Sequence, residues 1–233
     1  MDGAGETVQT QTGTEGGVHK TGTEDSGPGL RKSAPYEGWR QVETEHFRII
    51  YEPAHESAAR EVLEYAGEVY EKVTSSLDYY PKNVPVVIRG RTAGANGYYS
   101  PFPHQINLCV TSPSGPWRGA RSENWRKLLL THEFTHYCHF ASRAGFLGGL
   151  SHVFGHDLTA AHGLFFPGWL LEGITTTNES YYSSGGRGSN PFFAMKYRAF
   201  LEEDTLWSHK KSKFGSAYAP HDRIYVAGYL YVD

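Results

Sequence analysis

Apolar and polar residues alternate along this chain in two different periods. His46 to Tyr51 reads His-Phe-Arg-Ile-Ile-Tyr, a density of β-branched and aromatic residues that predicts a strand. From His55 to Leu77 the apolar positions are Ala59, Val62, Ala66, Val69, Val73 and Leu77. Steps of three and four keep returning to one side of a helix, so an amphipathic helix is predicted there. Tyr79-Tyr80-Pro81 closes it, and Val84 to Arg89 is a second strand rich in Val. Strand, helix and strand in succession predict two neighbouring strands of one sheet.

The pattern loosens after that. Thr92 to Thr111 reads as loop and strand: Gly94 and Gly97 suggest a turn, and Gln105 to Val110 alternates as a strand. Pro101 and Pro103 place an edge or a loop nearby. Ser112 to Gly119 is rich in Pro and Gly and predicts a loop. Ser122 is a candidate N-cap for a helix from Glu123 to about Ser142, closed by Gly145, Gly148 and Gly149. Residues 145 to 168 form an excursion rich in Gly, His and Phe. A helix follows from Trp169 to about Tyr182, then a flexible Gly/Ser loop over Ser183 to Asn190. A further helix runs from Pro191 to about Asp204, then a loop over Lys210 to Pro220. From Arg223 to Asp233 the chain is helical or apolar, and the apolar pattern runs to the last residue, so further chain is expected beyond it. There is no internal repeat.

Residues 1 to 35 contain no Phe, Tyr or Trp and are dense in Gly and Thr. Such a segment buries too little apolar area to offset its ordering entropy. It predicts a disordered leader or linker, with order beginning near Tyr36 to Trp39. A single domain is expected over residues 36–233. The start of the chain, with Asp2 and Glu6 and no apolar run, does not read as a secretory signal. No stretch reaches the roughly 18–20 apolar residues of a membrane span.

Charge and composition narrow the function further. The formal net charge is −3 with His neutral, which excludes a strongly basic nucleic-acid binder. Two cysteines, Cys109 and Cys138, build neither a disulfide framework nor a Cys-rich zinc module, and both read as reduced core residues. Twelve histidines in 233 residues direct attention to metal chemistry.

The strongest local signal is His132-Glu133-Phe134-Thr135-His136, preceded by Leu128-Leu129-Leu130. Four residues along a helix return to nearly the same face about 6 Å on. Two imidazoles so placed can bind one Zn²⁺ from one side, and the intervening Glu133 can reach a water on the metal as general base. Catalytic zinc usually takes a third protein ligand. The metzincin continuation needs Gly at 139 and His at 142, where this chain has His139 and Ser142. Glu172, in Pro167-Gly168-Trp169-Leu170-Leu171-Glu172-Gly173, is the better candidate.

With these two motifs the sequence resembles the gluzincin, or peptidase MA-like, zinc metallopeptidases, and in particular bacterial domains that often precede a β-propeller. The resemblance runs from about Trp39 onward. It implies an α+β fold: a small mixed sheet packed on the metal-bearing helix, above a mostly helical lower part that supplies Glu172. It implies His132, His136 and Glu172 as ligands of Zn²⁺, Glu133 as catalytic base, a peptide or protein substrate, and export or a periplasmic location. The aminopeptidase branch has a Gly-x-Met-Glu-Asn stretch where this chain has Gly94-Ala95-Asn96-Gly97-Tyr98, without the Glu, which favours an endopeptidase. The strand near Ile106 to Cys109 is then expected to pair with an extended substrate. The same branch uses a Tyr in Tyr-x-x-Gly to stabilise the oxyanion. Tyr225-Val226-Ala227-Gly228 matches, which makes Tyr225 a second catalytic candidate ahead of Tyr229 and Tyr181. The alternative reading is a non-catalytic, zinc-stabilised module that binds a peptide or a neighbouring domain.

Other residues stay open at this point. Asp157 and Glu179 could each hold a ligand imidazole. His139 reads as a neighbour of the site or as a packed residue. His152 and His156, four apart, read as ordinary histidines rather than a second metal site. Cys138 reads as a small buried residue, and Lys210, Lys211 and Lys213 as a solvated loop.

Overall fold

The computed structural model describes residues 38–90, 96–111, 124–142, 166–183, 185–205, 207–215 and 222–232, with the backbone alone at Lys196. The leader, the Ser112 to Gly119 loop, Ser122 and Glu123, the glycines at 145, 148 and 149, and His152, His156 and Asp157 lie outside the described residues.

Five strands form one mixed sheet: β1 (Arg40–Glu43), β2 (Phe47–Tyr51), β3 (Val84–Arg89), β4 (Gly97–Pro101) and β5 (His104–Cys109), in the order β1-β2-β3-β5-β4. Strands β2, β3 and β5 run parallel, and β1 and β4 are antiparallel at the two ends. Helix α1 (Glu56–Leu77) is the crossover that parallel β2 and β3 require. It ends at Asp78, whose φ of 48° is left-handed and whose N–H bonds the Thr74 carbonyl, one step before the expected Tyr-Tyr-Pro stop.

Two expectations are corrected here. Gly97 opens a strand rather than a turn, and β4 was not foreseen as a strand at all. The strand from Ile106 to Cys109 is not an edge. It pairs with β3 on one side and β4 on the other, so its backbone groups are taken, and among the described strands the edge on that side is β4.

Helix α2 (Trp125–Ala141) begins at Asn124, whose side chain accepts from the Lys127 N–H at 2.9 Å and supplies the N-cap. Among its buried residues, Leu130 and Phe134 are fully enclosed with Val62, Val69 and Val73 of α1 and Ile106 and Leu108 of β5. Phe134 meets Phe47 edge-on at 5.1 Å between ring centres. The helix is fixed to α1 by Arg126 on Glu61 and Lys127 on Glu68.

The helical part comprises α3 (Gly168–Tyr182), α4 (Pro191–Glu202), α5 (His209–Ser212) and α6 (Arg223–Val232). Helix α5 interrupts what the sequence suggested was a plain loop, and Lys213 lies over the Trp169 ring at 4.5 Å. The Ser183 to Asn190 stretch is likewise not a plain flexible loop: Arg187–Ser189 form a 3-10 turn. Helices α3 and α6 cross backbone against backbone at Gly173 and Gly228. A methyl group on Gly173 would stand 2.5 Å from the Gly228 carbonyl oxygen. Asn178 ties α3 to the rest of the molecule, donating to Ser76 of α1 at 3.0 Å and to Thr135 of α2 at 3.3 Å. The molecule is α+β, with the sheet and α1 on one side of α2 and α3 on the other. No helix among the described residues is long and apolar enough to cross a membrane.

Candidate metal centre

Leu130 and Phe134 face the core, so helical spacing turns His132 and His136 to the opposite side, toward α3, and leaves Glu133 on the flank nearer β4. All three line a cleft of about 770 Å³ between β4, α2, α3 and α6. The His132 and His136 rings are 4.8 Å apart and nearly perpendicular. Glu172, in the second turn of α3, brings Oε2 to 3.4 Å from His132 Nε2 and 3.6 Å from His136 Nε2.

These residues fit a metal on three counts. An ion about 2.0–2.2 Å from tetrahedral donors sets those donors roughly 3.3–3.6 Å apart, the spacing found on both sides of Glu172. Glu172 Oε2 is buried and accepts no hydrogen bond among the described residues, although buried polar atoms normally find a partner. Finally, Arg187 is the one permanently charged cation among the described residues facing Glu133, Glu172 and Glu179, so with both histidines neutral a divalent ion would balance the remaining two charges. His132, His136 and Glu172 are the group of described residues that could hold one.

Electrostatics follow the same layout. Burial opposes ionisation of Glu172, but the two imidazoles outweigh it and hold the carboxyl well below the usual range. Burial and the Arg187 cation press His132 toward its neutral form. The Glu172, Glu179 and Glu133 carboxylates overcome them and lift it to about 9.

Behind His132 stands Glu179, one of the two acids the sequence offered to hold an imidazole; the other, Asp157, lies outside the described residues. Glu179 lies two turns after Glu172 on α3, fully buried, with Oε2 2.9 Å from His132 Nδ1. A carboxylate there fixes the ring so that Nε2 points into the cleft. Burial works against its charge, and Arg187 and His132 keep it ionised nonetheless.

Glu133 is held from the sheet side. Its Oε2 accepts the Tyr99 backbone N–H at 2.8 Å, so the carboxylate bridges α2 and the outer edge of β4. A methyl group on Gly97 would come within 3.3 Å of Glu133 Cγ, which explains the glycine at this close approach of strand to helix. Asn96, Gly97 and Tyr98 of the stretch singled out earlier do line the cleft; Gly94 and Ala95 lie outside the described residues.

Tyr225, in the first turn of α6, lines the same cleft. Burial, then the Glu172 and Glu133 carboxylates, raise its phenol above the ordinary value, so it stays a hydrogen-bond donor at neutral pH. Tyr181 instead points to solvent, and Tyr229 packs against Phe193, so neither joins the site. His139 is packed, its Nδ1 buried with no hydrogen-bond partner among the described residues. Cys138 and Cys109 are free and buried, and burial pushes the Cys138 thiol up, away from nucleophilic use.

Sequence reasoning missed Arg187. Its guanidinium grips Glu179 and lies 4.7 Å over the Tyr225 ring. The only signal was a lone Arg between glycines in a stretch that reads as flexible.

Comparison with protein-family models, with curated proteins and with solved structures finds no match to this chain. What stands on the structure itself is an α+β molecule with a His132-His136-Glu172 group that could hold a metal ion in a cleft.

Proposed function

We propose that the chain is a zinc-dependent peptidase of gluzincin type, acting as an endopeptidase on peptide or protein substrates. The observation that carries the reading is the convergence of Glu172 from α3 on His132 and His136 of α2, with Glu133 beside them in an open cleft. Two nitrogens and one carboxylate oxygen make a donor set suited to zinc with one position left for the reaction.

His132, His136 and Glu172 would hold the ion, and Glu179 would keep the His132 ring aligned. When bound, zinc supplies Lewis acidity toward water and toward a carbonyl oxygen. Glu133 takes the proton of the attacking water and passes it to the departing amine. The Tyr99 N–H holds that carboxylate in place between the two events. Tyr225 donates a hydrogen bond to the carbonyl oxygen as it gains charge. The endopeptidase form is supported by Asn96, Gly97 and Tyr98, which line the cleft and bring no carboxylate for a substrate's terminal amine.

The test is zinc per chain by elemental mass spectrometry together with hydrolysis of a labelled casein, for wild type, Glu172→Ala and Glu133→Gln. One zinc per wild-type chain is expected, with loss in Glu172→Ala. Glu133→Gln should keep the metal and lose roughly 10²–10⁴-fold in turnover. Full turnover in Glu133→Gln, or zinc indifferent to Glu172→Ala, overturns the reading.

A further inference from the structure

Arg187 is tied to the metal centre from behind by three donors. Its backbone N–H and Nε both bond Glu179 Oε1, at 3.0 and 2.7 Å, and Nη2 bonds Oε2 at 2.9 Å. Nη2 also lies 2.8 Å from His132 Nδ1, so Arg187, Glu179 and His132 form one triangle of close contacts. The guanidinium plane meets the Tyr225 ring at 4.7 Å. One side chain therefore touches the support of a candidate ligand and the face of a candidate catalytic phenol.

The segment that carries it is built for close fit. Gly186 approaches the α3 backbone so nearly that a methyl group would stand 2.5 Å from the Ser180 nitrogen. Gly188 donates its N–H to Ser180 Oγ at 2.9 Å, and a methyl group there would stand 2.6 Å from that oxygen. Glycine on each side lets the turn lie against α3 and pass Arg187 inward beneath α6. An arginine fork matches a carboxylate in a way that an ammonium cannot.

We propose that Arg187 is a positioning residue: it clamps Glu179 against His132 and, with its other face, seats the Tyr225 ring on the cleft wall. As a statement about hydrolysis this rests on the zinc-peptidase reading above. As a statement about His132 and Tyr225 it does not require a metal, and the two can fail separately.

The test begins with the metal-free full chain labelled with ¹⁵N-histidine. His132 is assigned by the signal lost in His132→Gln. In the wild type its Nδ1 proton should be slow to exchange and shifted downfield by the bond to Glu179. Arg187→Met should lose that signal, and Arg187→Lys should restore it in part. Zinc affinity, measured by chelator competition, should fall roughly 10–100-fold in Arg187→Met, and kcat should fall more than KM rises. Should Arg187→Met not fold, Gly188→Ala keeps the arginine while displacing the turn and should give the same loss. An unchanged His132 signal in a folded Arg187→Met or Gly188→Ala overturns the proposal, whatever the zinc content. A wild type that takes up no zinc but loses the His132 signal on substitution overturns the peptidase reading and leaves Arg187 where we place it.

Discussion

His132 and His136 were legible because residues four apart on a helix share a face, with Glu133 between them on the flank. Glu172 came from resemblance, and its 3.4 and 3.6 Å approaches to the two imidazoles make it the third member of the group. Arg187 was hidden because its burial depends on how closely two glycines let a turn approach α3, which no local pattern records. His139 carries a consequence of its own. Burial first, then the neighbouring His136, hold it down at about 4 against an ordinary 6.5. An unfolded chain binds a proton here below about pH 6.5 that the folded chain refuses until about pH 4. Stability from this residue is thus complete above pH 6.5 and drains away as the pH falls toward 4, by up to roughly 3 kcal/mol. Urea midpoints of wild type and His139→Gln across pH 7 to 4 should converge or cross. Parallel curves would show that the residue plays no such part.

At the level of elements, both sequence motifs end in a glycine, and the fold explains why. Gly173 follows Glu172, Gly228 ends the Tyr225 run, and they meet where α3 and α6 cross. The backbones touch, so the separation of Glu172 and Tyr225 is set without intervening side chains. Gly228→Ala places a methyl group 3.0 Å from the Gly173 Cα and should force the helices apart. The expected cost is about 1–3 kcal/mol, read as a lower urea midpoint, with turnover reduced in the fraction that stays folded. Wild-type stability and rate in that variant would mean that the crossing is not a tight constraint. Strands β2 and β3 and helix α1 stood out in the sequence because each shows one clear period. Strand β1, Arg-Gln-Val-Glu, has a single buried residue, Val42, and so no hydrophobic period to find. Strand β4 is bracketed by Gly97 and Pro101, both of which argue for loop until β5 is seen pairing with it.

Across the whole molecule, the candidate centre joins two halves. His132 and His136 belong to the helix that packs on the sheet, and Glu172 belongs to the helical part. Among the described residues the polar links between α2 and α3 are Asn178 with Thr135, Glu179 with His132, and Glu172 with both histidines. An ion at that junction stabilises the folded chain by mass action, about 2.7 kcal/mol at a hundredfold excess over Kd. Chelation should therefore lower Tm by roughly 5–10 °C in a chain of this size, and added zinc should restore it. A Tm indifferent to chelator, in protein shown to hold zinc beforehand, would mean that the halves are joined by packing alone. The α+β class and the division into sheet-side and helical parts were legible from the order of elements. The detailed contact of the halves was not, because it rests on glycine approaches and buried polar pairs between segments about 40 residues apart.

The hydrogen bond from Tyr99 to Glu133 has one more consequence. Among the described residues strand β4 ends the sheet, and an open strand edge invites pairing with the same edge of another molecule. Glu133 occupies the Tyr99 N–H on that edge with a charged group, and a charge at a strand edge opposes pairing with a second chain. Inactivated forms will then differ in colloidal behaviour. Glu133→Gln keeps an acceptor for the N–H. Glu133→Ala removes that charged acceptor and should aggregate at lower concentration, as light scattering on the two purified variants would reveal.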